Sequence, residues 1–293
     1  MDRLLIYYGF PSSVNHADSI LRATEYFSVY DTVVFAGSRK NFKSIEFAEH
    51  IDHKNSEAII KNLKNNTFGY VACGNRDGVD SCWTNSEIKE LCIRWKNMGV
   101  KGIFLDELGY DFNNFKSRKI DILNIVRNLS LNVFANCWNP EDLFDDSPEL
   151  FIKNDHYLLE SLFFFANGEI TEFQSFNDSF QRLSIAQRYR NTLGFKLACV
   201  NSFGKDYALI GSDFMDFTVS AADFFSLDAL SITKGNYHSN DVDLISFIPK
   251  ESGYSKKFRL KLFLKTVKRS DQNDKYIKFL KNITSQLPVE YYL

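Results

Sequence analysis

The sequence predicts a single (β/α)8 barrel. Eight short apolar runs read as strands, helical patterns alternate with them, and no linker, internal repeat or low-complexity tract divides the 293 residues. Alternation implies a parallel sheet covered by helices. Eight such units in one chain are the number that closes a barrel. An open doubly wound sheet is the other architecture compatible with the alternation.

The strand-like runs are Arg3 to Tyr8, Thr32 to Ala36, Thr67 to Cys73, Lys101 to Leu105, Leu131 to Ala135, Asp155 to Leu159, Phe195 to Val200 and Leu227 to Ile232. Each is short, rich in β-branched or aromatic residues and bounded by polar or glycine-containing stretches. Helical patterns cover Ala17 to Ser28, His53 to Asn65, Asn85 to Asn97, Lys116 to Leu129, Ser179 to Leu193 and Asp213 to Phe225. In the third of these, Ile88, Leu91, Cys92 and Trp95 share one face. Thr84 followed three residues later by Glu87 spells a capping box. Gly194 is placed to end the Ser179 helix in a left-handed turn. Asn139 to Asn154 is polar and long, and reads as a surface insertion over the barrel mouth.

The whole chain, 1–293, reads as one domain with a basic helical segment from about residue 249. From Pro249 to Leu293 there are eleven Lys or Arg against four Asp or Glu, which leaves the rest of the chain acidic. Phe258 to Lys265 is amphipathic enough to be the eighth barrel helix. The basic face is either solvated or a docking surface for an anionic partner or a membrane.

Net charge is -2, which gives no sign of a nucleic-acid partner. No apolar run is long enough for an integral membrane segment. Met1-Asp2-Arg3-Leu4 does not open a signal peptide, so a cytoplasmic location is expected. Cys73, Cys137 and Cys199 fall in or beside predicted strands without zinc-type spacing, and read as reduced core residues.

Polar side chains gather at the predicted carboxyl ends of the strands: Tyr7 and Tyr8, Tyr70 and Asn75, Asp106 and Glu107, Asn136 and Trp138, Glu160, and Asn201 and Ser202. That is the end at which barrel enzymes work. The stretch from Val100 to Asp111 is the clearest case, an apolar strand that ends abruptly in acid. Asp106 and Glu160 are spaced to leave the fourth and sixth strands at the same end. Glycosidic cleavage uses one protonated carboxyl for the leaving oxygen and one ionised carboxyl that attacks carbon or activates water. Burial and mutual repulsion would drive their pKa values apart. A separation of about 5 Å implies retention, and about 6.5–9.5 Å implies inversion.

Tyr7, Tyr8, Tyr70, Glu107, Asn136, Trp138 and Asn201 are the candidate sugar-binding residues; Tyr7, Tyr70 and Trp138 are expected to line one cleft with the acids. No GxGxxG, GxxxxGK[ST] or HExxH is present, and no cofactor is expected. His50-Ile51-Asp52-His53 contains metal-ligand types. A loop before a helix with Asp52 as its N-cap explains it as well, and no metal is expected.

Gly102-Ile103-Phe104-Leu105-Asp106-Glu107 resembles the strand-four motif of glycoside hydrolase family 114 and the spherulin-four-like barrels, which include endo-α-1,4-polygalactosaminidases. Phe134-Ala135-Asn136 and Tyr157-Leu158-Leu159-Glu160-Ser161 are similar to the fifth- and sixth-strand motifs. The resemblance spans roughly Leu4 to Ile232. It implies a carbohydrate substrate containing amino sugars, Asp106 and Glu160 as the catalytic pair, and retention with Asp106 as nucleophile. Two other functions fit the chain. One is a non-catalytic carbohydrate-binding barrel in polysaccharide or glycoconjugate assembly. The other is a sugar-phosphate enzyme, with anion loops at Gly204-Lys205 and Lys234-Gly235.

Overall fold

Eight parallel strands close on themselves, and helices surround them. The computed structural model describes residues 1–36, 52–74, 82–145, 147–168, 170–204, 212–234 and 242. The strands are β1 (Asp2–Tyr7), β2 (Thr32–Phe35), β3 (Asn66–Ala72), β4 (Gly102–Asp106), β5 (Asn132–Asn136), β6 (His156–Glu160), β9 (Lys196–Phe203) and β10 (Ala229–Lys234). Neighbours follow chain order around the barrel and β10 returns to β1. The fold is a (β/α)8 barrel, and the open sheet is excluded. The closing pair is the shortest, with Asp2 and Arg3 opposite Ala229 and Leu230.

The covering helices are α1 (Ile20–Ser28), α2 (His53–Asn62), α3 (Asn85–Met98), α4 (Lys116–Asn128), α5 (Pro140–Phe144), α6 (Phe176–Leu193) and α7 (Ser212–Phe224). Helix α3 begins at the expected capping box, where Glu87 N–H donates to Thr84 Oγ1 at 3.2 Å and Thr84 N–H to Glu87 Oε2 at 2.7 Å. Gly194 ends α6 at φ +78°. The segment Pro249–Leu293, including the expected helix Phe258–Lys265, lies outside the described residues, as do Asn75, His50 and Ile51. No described helix is long and apolar enough to cross a membrane.

Two elements differ from the sequence reading. Asn139–Asn154 does not lie over the mouth. It carries α5, started by Asn139 with Pro140 in the first turn, and runs down the outer wall. Phe144 is buried there, stacked on Phe195 at 4.8 Å between centroids and set against Phe151 at 5.0 Å. The apolar side of this short helix supplies the fifth covering element. Second, an antiparallel hairpin, β7 (Phe164–Asn167) and β8 (Ile170–Phe173), is inserted between β6 and α6. Its signal was Gly168, at φ +62° in the two-residue connection that follows the Asn167–Ile170 pair.

Strand alternation divides the core in two. The inner cluster contains Leu4, Ile6, Val34, Phe68, Phe104, Phe134, Leu158, Ala198, Val200 and Ala229, with Tyr8 and Tyr70 against it. The outer cluster lies between strands and helices. Gly69 is needed there, because a Cβ would sit 2.1 Å from the Trp95 ring of α3. Inside, rings form a column: His156 lies 5.1 Å from Phe134, Phe134 5.0 Å from Phe104, and Phe104 5.8 Å from Tyr70. The column supports the barrel mouth from below.

At the opposite end, aspartates tie strands together. Asp31 accepts from Arg3 N–H at 2.9 Å, Asp155 from Val133 N–H at 2.8 Å, and Asp228 from Leu197 N–H at 2.8 Å. Asp155 also accepts from Ile152 N–H at 2.7 Å and pairs with Arg127. The three are legible only in the structure, because the partner is always on another strand.

His156 sits low in the interior, 2% exposed. Burial first, and then nearby Lys196, push its pKa down to about 3. The unfolded chain takes up a proton near pH 6.5, where the folded protein refuses it. Stability is therefore full above that pH and falls as pH drops towards 3, by on the order of 3 kcal/mol between pH 7 and 4. His156→Leu should flatten that dependence. Urea titrations at pH 7 and 4 check it, and equal losses in both proteins would refute the assignment.

Candidate active site

Asp106, Asn136 and Glu160 are the last residues of β4, β5 and β6. The inward phase of each strand continues from Phe104, Phe134 and Leu158, so all three side chains turn into the mouth. Asn136 Nδ2 donates to Asp106 Oδ1 at 2.7 Å and to Glu160 Oε2 at 2.7 Å. Those two oxygens are therefore no farther apart than twice that distance. Tyr70 Oη donates to Asp106 Oδ2 at 2.6 Å, and Glu107 N–H donates to Asp106 Oδ1 at 3.0 Å. Asp106 thus accepts from donors on three segments. It is 5% exposed and its carboxyl is fixed in direction.

The residue after each acid has a left-handed backbone. Glu107 has φ +56° and Ser161 φ +51°. Non-glycine residues seldom adopt this conformation, and it costs about 1 kcal/mol or more. Surrounding bonds hold it: Asn114 Nδ2 donates to Glu107 O at 2.6 Å, and Ser161 N–H donates to Val200 O at 2.8 Å. Gly74 leaves room for the Glu107 side chain, since a Cβ there would lie 2.6 Å from Glu107 Oε2.

A cleft of about 200 Å³ opens here, lined by Asp106, Glu107, Asp111, Phe112, Asn136, Cys137, Trp138 and Glu160. Four of these are carboxylic acids. Burial, with Asp142 adding to it, raises the Asp111 carboxyl above the usual range. Burial pushes the Cys137 thiol up as well, which makes it unreactive.

The candidate sugar-binding residues divide. Tyr70 contacts Asp106, and Tyr8 packs on Tyr70 at 5.8 Å between centroids. Glu107, Asn136 and Trp138 line the cleft. Tyr7 does not: it is on the outer face of β1, fully buried against Phe27 at 5.1 Å, with its hydroxyl donating to Phe10 O. Asn201 is also outward-facing and fully buried. Its Oδ1 accepts from Phe163 N–H at 2.9 Å, and its Nδ2 donates to Cys199 Sγ at 3.1 Å. It secures the chain entering the hairpin, and Ser202 accepts from Ala166 N–H of β7. Asp52 is not an N-cap by hydrogen bonding. Its carboxylate accepts from Ser12 Oγ, Asn55 Nδ2 and Ser56 Oγ.

Arg182 of α6 was missed by sequence reasoning. It is 4% exposed, and its guanidinium lies 3.8 Å over the Trp138 ring. It donates to Glu160 O at 3.0 Å and pairs with Asp178 at 3.0 Å. The Asp178–Arg182 spacing reads as an ordinary surface pair on a helix, so nothing in it signalled the cleft. Arg182→Met and Trp138→Ala should be coupled in unfolding free energy by about 1 kcal/mol. A double-mutant cycle measures this, and additivity would show the stacking to be inert.

No protein-family model matches the chain, and no curated protein matches it. Among solved structures it is similar to a variant of the glycoside hydrolase domain of PelA from Pseudomonas aeruginosa. That domain is 13% identical, with a TM-score of 0.52, over 82% of this chain and 99% of the domain. It is also similar to the carboxyl transferase domain of Rhizobium etli pyruvate carboxylase. There the identity is 10% and the TM-score 0.54, over 96% of this chain and 48% of that one. Two barrels of different chemistry match equally well, so these likenesses establish the fold and leave the chemistry to the side chains at the mouth.

Proposed function

We propose that the protein is a glycosidase that cleaves an amino-sugar-containing glycan, with Asp106 and Glu160 as its working carboxyls. The observation that carries this reading is the bridge from Asn136 to both acids, which keeps their facing oxygens within twice 2.7 Å. Retaining enzymes hold the pair at about 5–5.5 Å, and inverting enzymes need about 6.5–9.5 Å for an intervening water. The spacing therefore favours retention. The likeness to the PelA glycoside hydrolase domain agrees with the choice of chemistry.

The Asp106 carboxylate, oriented by its donors, attacks the anomeric carbon. Glu160 gives its proton to the glycosidic oxygen as the carbon–oxygen bond breaks. The leaving sugar departs with that proton, and the glycosyl group stays on Asp106. Glu160, now a carboxylate, takes a proton from water, and the hydroxide so formed displaces Asp106. The four acids among the described lining residues suit a sugar with a free ammonium group. Trp138 and Phe112 offer apolar faces for a ring.

The test is hydrolysis of a panel of amino-sugar oligosaccharides, with the anomer of the first product read by NMR. Cleavage with retained configuration is expected. Inversion would remove the nucleophile assignment. Tight binding without cleavage across the panel would make this a carbohydrate-binding barrel instead.

A further inference from the structure

We infer that Asn136 is a positioning residue that sets the spacing and direction of the two carboxyls, and does not serve as a sugar ligand through its amide nitrogen. The inference rests on the glycosidase reading for its consequence, and on geometry for its substance. An Asn amide nitrogen has two hydrogens. Here one points to Asp106 Oδ1 and the other to Glu160 Oε2, each at 2.7 Å. Both are committed before any substrate arrives. The side chain is 8% exposed and is the last residue of β5, the strand between the two acids. Only a residue in that register, on the inner face, can reach both neighbours.

Two consequences follow from the chemistry of the contact. A donor shared by two carboxyls ties one oxygen of each to the same nitrogen, which limits how far apart they can move. It also fixes Oε2 of Glu160 as an acceptor. Among the described residues, other groups near the pair are Tyr70 from β3, Glu107 beside Asp106, Asp111 from the loop after β4, and Arg182, which reaches the Glu160 carbonyl from α6. Tyr70 and the Glu107 amide act on Asp106. Asn136 contacts both acids and so couples them.

Asn136→Ala should leave the two carboxyls turned from their wild-type directions, and a crystal structure of the variant beside the wild type reads this without any substrate. In hydrolysis, kcat should fall by about a hundredfold with KM changed little. Asn136→Gln, which keeps the amide but displaces it, should show the same signs and guards against misfolding of the alanine variant. Superimposable carboxyls would overturn the inference. So would a rise in KM with kcat preserved, which would make Asn136 a sugar ligand. If the wild type cleaves no glycan, the glycosidase reading fails, yet the carboxyl directions in the variant still decide the role of Asn136.

Discussion

Asp106→Asn and Glu160→Gln are each expected to reduce glycan hydrolysis by at least about a thousandfold while the barrel stays folded. A general acid alone contributes about 10²–10⁴-fold, and loss of a nucleophile usually costs more. Each amide keeps the shape of its carboxyl. The unfolding free energy should therefore stay within about 1 kcal/mol of wild type. Rates on a cleaved oligosaccharide and urea titrations of the same preparations check both halves. Wild-type turnover by either variant would end the assignment.

The opposite pattern is expected at the other end of the barrel. Asp155→Ala should destabilise the fold by about 3–5 kcal/mol, because it strips the partner from Arg127 and from two N–H groups in a buried setting. Asp155 is fully buried, accepts from Val133 and Ile152, and sends its own carbonyl to Lys196 N–H at 2.8 Å. Asp106 and Glu160 are at the far ends of the same strands, so the rate per folded molecule should hardly change. A loss of less than about 1 kcal/mol in urea unfolding would show that the cluster contributes little. Together the two experiments separate residues that do chemistry from residues that keep the barrel closed.

Much of the fold was legible because the local patterns are strong. The apolar run before Asp106, the capping box at Thr84 and the glycine after Leu193 each state a local geometry that packing does not override. The acids could be located because a carboxylate directly after a buried run must emerge at a strand end. Phase was the harder matter. Adjacent residues in a strand face opposite sides, so only one of Tyr7 and Tyr8 can look inward, and composition gives no reason to choose. Register fixes it: Tyr7 aligns with Phe35 and joins the outer layer. The same rule separates Asn201 from Ser202. Arg182 was invisible for a different reason, since its partners belong to segments distant in sequence.

The β1–β10 junction has a kinetic consequence. Six of the other seams are aligned over four to six residue pairs, whereas this one joins the two most sequence-distant strands through two. Bringing such distant segments together costs the most chain entropy and is repaid by the fewest ladder bonds. The cylinder should thus close last at this junction, and breathe there first once closed. The β4–β5–β6 arc that carries Asp106, Asn136 and Glu160 lies on the far side of the ring, so the carboxyl pair is set in the part of the wall most distant from the zip.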